Sequence, residues 1–107
     1  MAERQLTIKI NALKRTVKEL DSYRKEIEKE KERLQNLKAS GADDSRIRQQ
    51  TEVVHESEEM IPDTKGRIEN MVRDLEKFLA SHADDPTISE GKISEAETVI
   101  TSAKAVL

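Results

Sequence analysis

The 107 residues contain no cysteine, which excludes a disulfide framework, a thiolate nucleophile and a cysteine-rich zinc site, and makes a reducing compartment the natural setting. Tryptophan is absent too, and Tyr23 and Phe78 are the only aromatics. There is accordingly no stacking platform for single-stranded nucleic acid and no aromatic-lined pocket for a small ligand. Three glycines and two prolines leave room for only a few sharp chain reversals. No apolar run is long enough to cross a bilayer, and the charged opening MAERQLTIK lacks the core of a signal peptide, so neither a membrane span nor secretion is expected. A net charge of -3 conceals a close mixture of 19 basic and 22 acidic side chains, which argues against attachment to nucleic acid or anionic lipid by bulk charge. A protein partner is the natural one.

Abundant charge (38%) and modest hydrophobicity (35%) suit long, narrow helices packed along stripes within one domain spanning residues 1–107. From the start, Leu6, Ile10, Leu13, Val17, Leu20, Ile27 and Leu34 alternate steps of four and three before settling into sevens. With Ile10 and Val17 at heptad position a, the line continues through Arg24, Lys31 and Lys38, so the seam turns half polar. Gly41 and the Asp43-Asp44-Ser45 run mark a reversal. A second helix carries Ile47, Val54, Ile61, Ile68 and Leu75 at strict sevens, joined later by Met71, Val72, Phe78 and Leu79. That broadened face requires a second neighbour, hence a third helix. It starts either at Asp85-Pro86, as N-cap and N1, or at Thr87 in a capping box with Glu90, and carries Ile93, Ala96, Ile100, Ala103 and Leu107. The expected fold is all-α: an elongated three-helix bundle of two long antiparallel helices and a shorter third, over roughly 5–39, 44–81 and 87–106. Ile8 points outward in this register, and Leu6, Ile8 and Ile10 alternate as in a strand, so residues 4–10 are read either as helix or as an extended arm.

Pro62 interrupts the second helix in sequence but not in register, since sevens run unbroken through Val54, Ile61 and Ile68; a kink at Pro62 is expected rather than a break. Glu52 and His55 form one Glu-x-x-His pair, whereas a carboxylate-bridged di-iron bundle needs two facing inward; here both residues fall on the outer face. His82 has no carboxylate partner and reads as a surface histidine. Without a phosphate loop, nucleophile elbow or pocket able to perturb a carboxyl, no enzyme, metal or cofactor is expected.

Charge placement says more. The outer face of the first helix includes Arg15, Lys18, Lys25, Lys29 and Arg33, a basic ridge relieved by Glu19 and Glu26. The second helix presents Glu52, Glu56, Glu59, Asp63, Glu69 and Glu76, broken by Arg48, Arg73 and Lys77. Such segregation serves solubility and helix–helix attraction, or else it is a docking face for an oppositely charged partner. Met60-Ile61-Pro62-Asp63 is a second candidate surface, with Met60 beside the seam.

Taken together, Ile8-Lys9-Ile10, Leu13-Lys14-Arg15, Val17-Lys18-Glu19, Gln49-Gln50 to Val53, Glu56-Ser57-Glu58-Glu59-Met60-Ile61-Pro62-Asp63, Leu75-Glu76 and Ser94-Glu95-Ala96 to Ile100 resemble the tubulin-binding cofactor A family in order and spacing over nearly the whole chain. Gly66, close behind Pro62, and Gly91 depart from the pattern by weakening helix locally. The resemblance implies a three-helix bundle acting as a cytoplasmic, cytoskeleton-associated chaperone. Its partner would be β-tubulin, captured after chaperonin release and passed on for assembly with α-tubulin, with no nucleotide or metal. Because tubulin is acidic, the basic ridge becomes the expected contact. The alternative is a coiled-coil structural or adaptor module that self-associates through the hairpin, since the same exposed apolar residues could serve a homodimer.

Overall fold

The computed structural model describes all of Met1–Leu107 and contains three helices and no strand: α1 (Ala2–Ala39), α2 (Asp44–Ser81) and α3 (Glu90–Ala105). Helix α1 begins upstream of residue 5, with the Gln5 amide already donating to the Met1 carbonyl, so residues 4–10 are helical and not an extended arm. Its far end closes on Gly41 at φ +73°, where the Ala42 amide donates to Leu37 O and the Gly41 amide to Lys38 O. That 6→1 and 5→2 pair is a Schellman cap, and only a residue without Cβ occupies its left-handed position cheaply. Asp43 then caps α2 by accepting the Arg46 amide at 2.9 Å. Helix α2 continues through Pro62, which is exposed, so the carbonyl it leaves without a backbone donor lies on the solvent side.

The start of α3 corrects both sequence alternatives. Neither Asp85 nor Thr87 is the cap; Ser89 is, accepting the Lys92 amide at 3.2 Å. Asp85 instead closes a turn, accepting both the amide and the hydroxyl of Thr87 at 2.8 and 2.6 Å, bonds that hold its carboxyl below the usual carboxylate range. The physical reason is Ile88, buried just before the cap, with Ile93 four residues into the helix: the arrangement of a hydrophobic staple. Starting the helix earlier would have removed the turn that delivers Ile88 to the core.

Two compact units emerge. The first, Met1–Lys18 with Lys65–Leu107, contains three helical segments. Leu6, Ile10 and Leu13 of α1, Ile68, Val72 and Leu75 of α2, and Ala96, Val99, Ile100 and Ala103 of α3 form its buried apolar set together with Ile88. One ion pair joins each pair of helices at its surface: Lys9–Asp74 (2.6 Å), Lys14–Glu95 (2.9 Å) and Lys104–Glu76 (3.1 Å). All are solvent-screened, so they favour this arrangement only weakly while burial supplies most of the stability.

The second unit, Glu19–Thr64, is a helix pair in which only Leu20, Ile27 and Val54 are buried apolar residues. Here the seam departs from the expected heptads. Arg24, Lys31 and Lys38 are exposed, and the buried line runs one residue earlier, through half-buried Tyr23, buried Glu30 and half-buried Leu37. In the first unit, likewise, Thr16 is buried while Val17 is only half-buried. A reading based on apolarity preferred valine, yet Thr16 satisfies its hydroxyl on the Ala12 carbonyl at 3.0 Å. Glu30 is satisfied from the opposite helix: the Gln50 side-chain amide donates both to its carboxylate (2.7 Å) and to its backbone carbonyl (2.9 Å), and Arg33 reaches the other carboxylate oxygen at 2.9 Å. No buried side-chain nitrogen or oxygen lacks a partner.

Two stability predictions follow from this packing. Gln50→Leu should cost about 1–3 kcal/mol in urea denaturation by orphaning a buried acceptor, whereas Glu30→Leu/Gln50→Leu should regain that loss, because an apolar pair replaces a desolvated polar one. Pro62→Ala should raise stability by about 1–3 kcal/mol in the same measurement, restoring an amide donor inside a helix.

Candidate partner-binding surface

In the three-helix unit, Arg15 and Lys18 project from α1 into solvent and neither makes an ion pair. In the two-helix unit, Lys29 is equally exposed and unpaired, while Lys25 meets Asp21 one turn away at 3.0 Å and Arg33 meets Glu30. The candidate basic residues are therefore all on the surface, and three of the five hold charges that nothing in the chain neutralises. Met60 and Ile61 are half-buried beside exposed Pro62 and Asp63, so that segment offers a small apolar edge rather than an open patch. On α2, Glu52, Glu56, Glu59, Glu69 and Glu76 are exposed as the register required, with Glu76 engaged by Lys104.

Glu52 and His55 face water, and no three His, Cys, Asp or Glu side chains are grouped to hold a metal ion. His82 differs from the free surface histidine expected: it is half-buried, stacks on Phe78 at 4.1 Å between ring centroids, and places Nδ1 2.9 Å from the Phe78 carbonyl. Lys9 Nζ lies over the Phe78 ring, 5.6 Å from its centre. Ile8, 60% exposed, sits beside Gln5, Lys9 and Phe78 around a shallow depression, as its outward register position anticipated.

One feature was not visible in the chain. In the three-helix unit, Val17 of α1 and Val99 of α3 floor an open groove of about 350 Å³, bordered by Lys14 and Lys18 on one side and Thr98 and Ser102 on the other. Lys14 crosses to Glu95, which also accepts from Lys92 at 3.2 Å. Hydrogen bonds from Lys14 first and Lys92 second hold the Glu95 carboxyl below the usual carboxylate range. No periodicity signals such a groove, because it exists only where two helices distant in sequence lie side by side; the hint was Val17, an apolar residue slightly off the buried line.

Comparison with known proteins places this architecture. The family model described as tubulin binding cofactor A matches residues 1–100. A tubulin-folding cofactor A from Arabidopsis thaliana is 39% identical over 99 residues, covering 88% of this chain and 88% of the relative. The crystal structure of tubulin-binding cofactor A from Leishmania major superposes with a TM-score of 0.88 at 35% identity, covering 99% of this chain and 96% of that one. A third likeness is to Rbl2p, a β-tubulin-binding post-chaperonin cofactor, at a TM-score of 0.83 and 31% identity over 96% of this chain and 97% of that one.

The Glu95 cluster makes a pH prediction. Its depressed carboxyl pKa means that the charged form favours the folded state; that contribution is complete above the ordinary carboxylate range and is lost as pH falls towards the folded-state value. Thermal midpoints followed by circular dichroism should fall more steeply with acidification in the wild type than in Glu95→Gln, with the two profiles running parallel at neutral pH.

Proposed function

The chain belongs to the tubulin-binding cofactor A family, and from that membership we propose that it binds β-tubulin after chaperonin release, stabilises it and passes it on for assembly with α-tubulin. The β-tubulin specificity draws support from the likeness to Rbl2p, whose description names that partner and that stage. The work is non-catalytic: the chain supplies a surface for a folding intermediate, in the cytoplasm and in association with the cytoskeleton. No helix is long and apolar enough to cross a membrane.

The observation that carries the choice of surface is the uncompensated positive charge of Arg15, Lys18 and Lys29 on α1. An acidic partner such as tubulin gains both attraction and rate of encounter from such charges, and gains little from lysines already paired. Lys25 and Arg33 extend the ridge but must first release Asp21 and Glu30. Met60, Ile61, Pro62 and Asp63 provide an apolar edge on α2, where the exposed ring of Pro62 and the partly exposed Met60 side chain adapt readily to a partner.

Pull-down from a tubulin-containing lysate tests both levels. The wild type should recover β-tubulin, and the Lys18→Glu/Lys25→Glu/Lys29→Glu variant should recover at least about tenfold less, a loss of ~1.4 kcal/mol or more, with recovery by the wild type declining as salt is raised. Recovery of no β-tubulin by the wild type would defeat the functional reading. Equal recovery by the variant would defeat the ridge and leave the functional reading standing. A tubulin-indifferent oligomer in sedimentation would favour the self-associating module instead.

A further inference from the structure

The groove between α1 and α3 lies wholly within the three-helix unit and has three properties that the outer ridge lacks. It is concave, with a volume of about 350 Å³. Its floor is aliphatic, formed by Val17 and Val99, so it can desolvate a side chain rather than merely attract a charge. Its rim is polar and lopsided in charge: Lys14, Lys18 and the neighbouring Lys92 are balanced only by Glu95, and Lys18 has no ionic partner. Beyond Glu95, the wall contributed by α3 presents Thr98 and Ser102, without a carboxylate. The Thr98 hydroxyl donates to the Ser94 carbonyl and the Ser102 hydroxyl is uncommitted, leaving a free donor for an incoming carboxylate.

Resting on the β-tubulin reading above, we propose that this groove seats an acidic segment of β-tubulin that inserts one aliphatic side chain between Val17 and Val99 while its flanking carboxylates meet Lys18 and Ser102. The cationic rim selects the charge of the segment and the valine floor selects its anchor. A small polar metabolite is a poor fit, because the groove is only partly enclosed and converges no set of polar groups on one point. A purely ionic contact leaves the apolar floor unused.

Ser102 is the informative position, since it is exposed and a glutamate there adds negative charge at the rim without touching the core. Two readouts on the full-length chain decide the matter: β-tubulin recovery from lysate, and fluorescence anisotropy of a labelled synthetic peptide in which glutamates flank a single leucine. Ser102→Glu should weaken both by about tenfold or more, equivalent to ~1.4 kcal/mol, with an unchanged thermal midpoint. Lys77→Glu, on the outer face of α2, should leave both as in the wild type. The groove assignment is overturned if Ser102→Glu binds peptide and β-tubulin normally, if a leucine-free peptide binds as tightly, or if Ser102→Glu dissociates a homodimer seen in sedimentation, which would make a second copy the occupant. Should the wild type bind peptide yet recover no β-tubulin, the proposed function falls and the groove stands as a site for some other acidic segment.

Discussion

The close approach of α3 is what the three-helix unit depends on. Ala96 and Ala103 are wholly buried, flanked by Val99 and Ile100, so this helix meets its neighbours through small and β-branched side chains. Large side chains from the other two helices, Leu6, Ile10 and Leu13 on one and Ile68 and Leu75 on the other, are completely enclosed in the same unit. Each such residue is worth about 1.5–3 kcal/mol on burial, and none of the three helical segments could bury its apolar face alone. The staple at Ile88 and the Ser89 cap are the local devices that start α3 at the residue where this packing begins. Ser89 adds a direct tie, its hydroxyl donating to Glu3 at 2.9 Å.

The two-helix unit answers a different constraint. With one neighbour apiece, its helices bury few apolar groups and fill part of the seam with polar residues that find their partners inside the unit. Glu30 is the clearest case: a carboxylate tolerated at 4% exposure because Gln50 and Arg33 occupy its oxygens. Since the Gln50 amide spans both the carboxylate and the backbone carbonyl of one residue, a slip of a single turn between the helices would break two hydrogen bonds at once. Such a contact specifies register more than it adds stability. On the surface the charges divide in the same way: Lys9, Lys14 and Lys104 join helices of the three-helix unit, Lys25 pairs within its own helix, and Lys18 and Lys29 have no ionic partner.

Much of this could be read along the chain, and the reason is that helices are local objects. Spacing placed Leu6, Ile10, Leu13, Leu20 and Ile27 inside and Ile8 outside; Gly41 and Asp43 marked the reversal; and the unbroken sevens carried α2 through Pro62. Family resemblance was likewise carried by the order of segments, which survives without any knowledge of contacts. The exposure of the basic residues on α1 followed from the same periodicity.

What the amino-acid order determined by itself, then, was three helices, most of their apolar faces and the family. Tertiary structure alone decided which polar residues go inside, where α3 begins and which charges remain free. Thr16 and Glu30 look like surface residues until a bonding partner is in place; Asp85 and Thr87 look like caps until Ile88 must be buried; and Lys14 and Lys18, four residues apart, look equivalent until Glu95 from a remote helix neutralises one of them. Thr16 completes its hydrogen bond within its own helix, on Ala12, but its burial, like the other cases, depends on contact between segments far apart in sequence, and no local pattern encodes such a contact. The Val17–Val99 groove is the fullest example, since its two walls become a surface only when the helices meet.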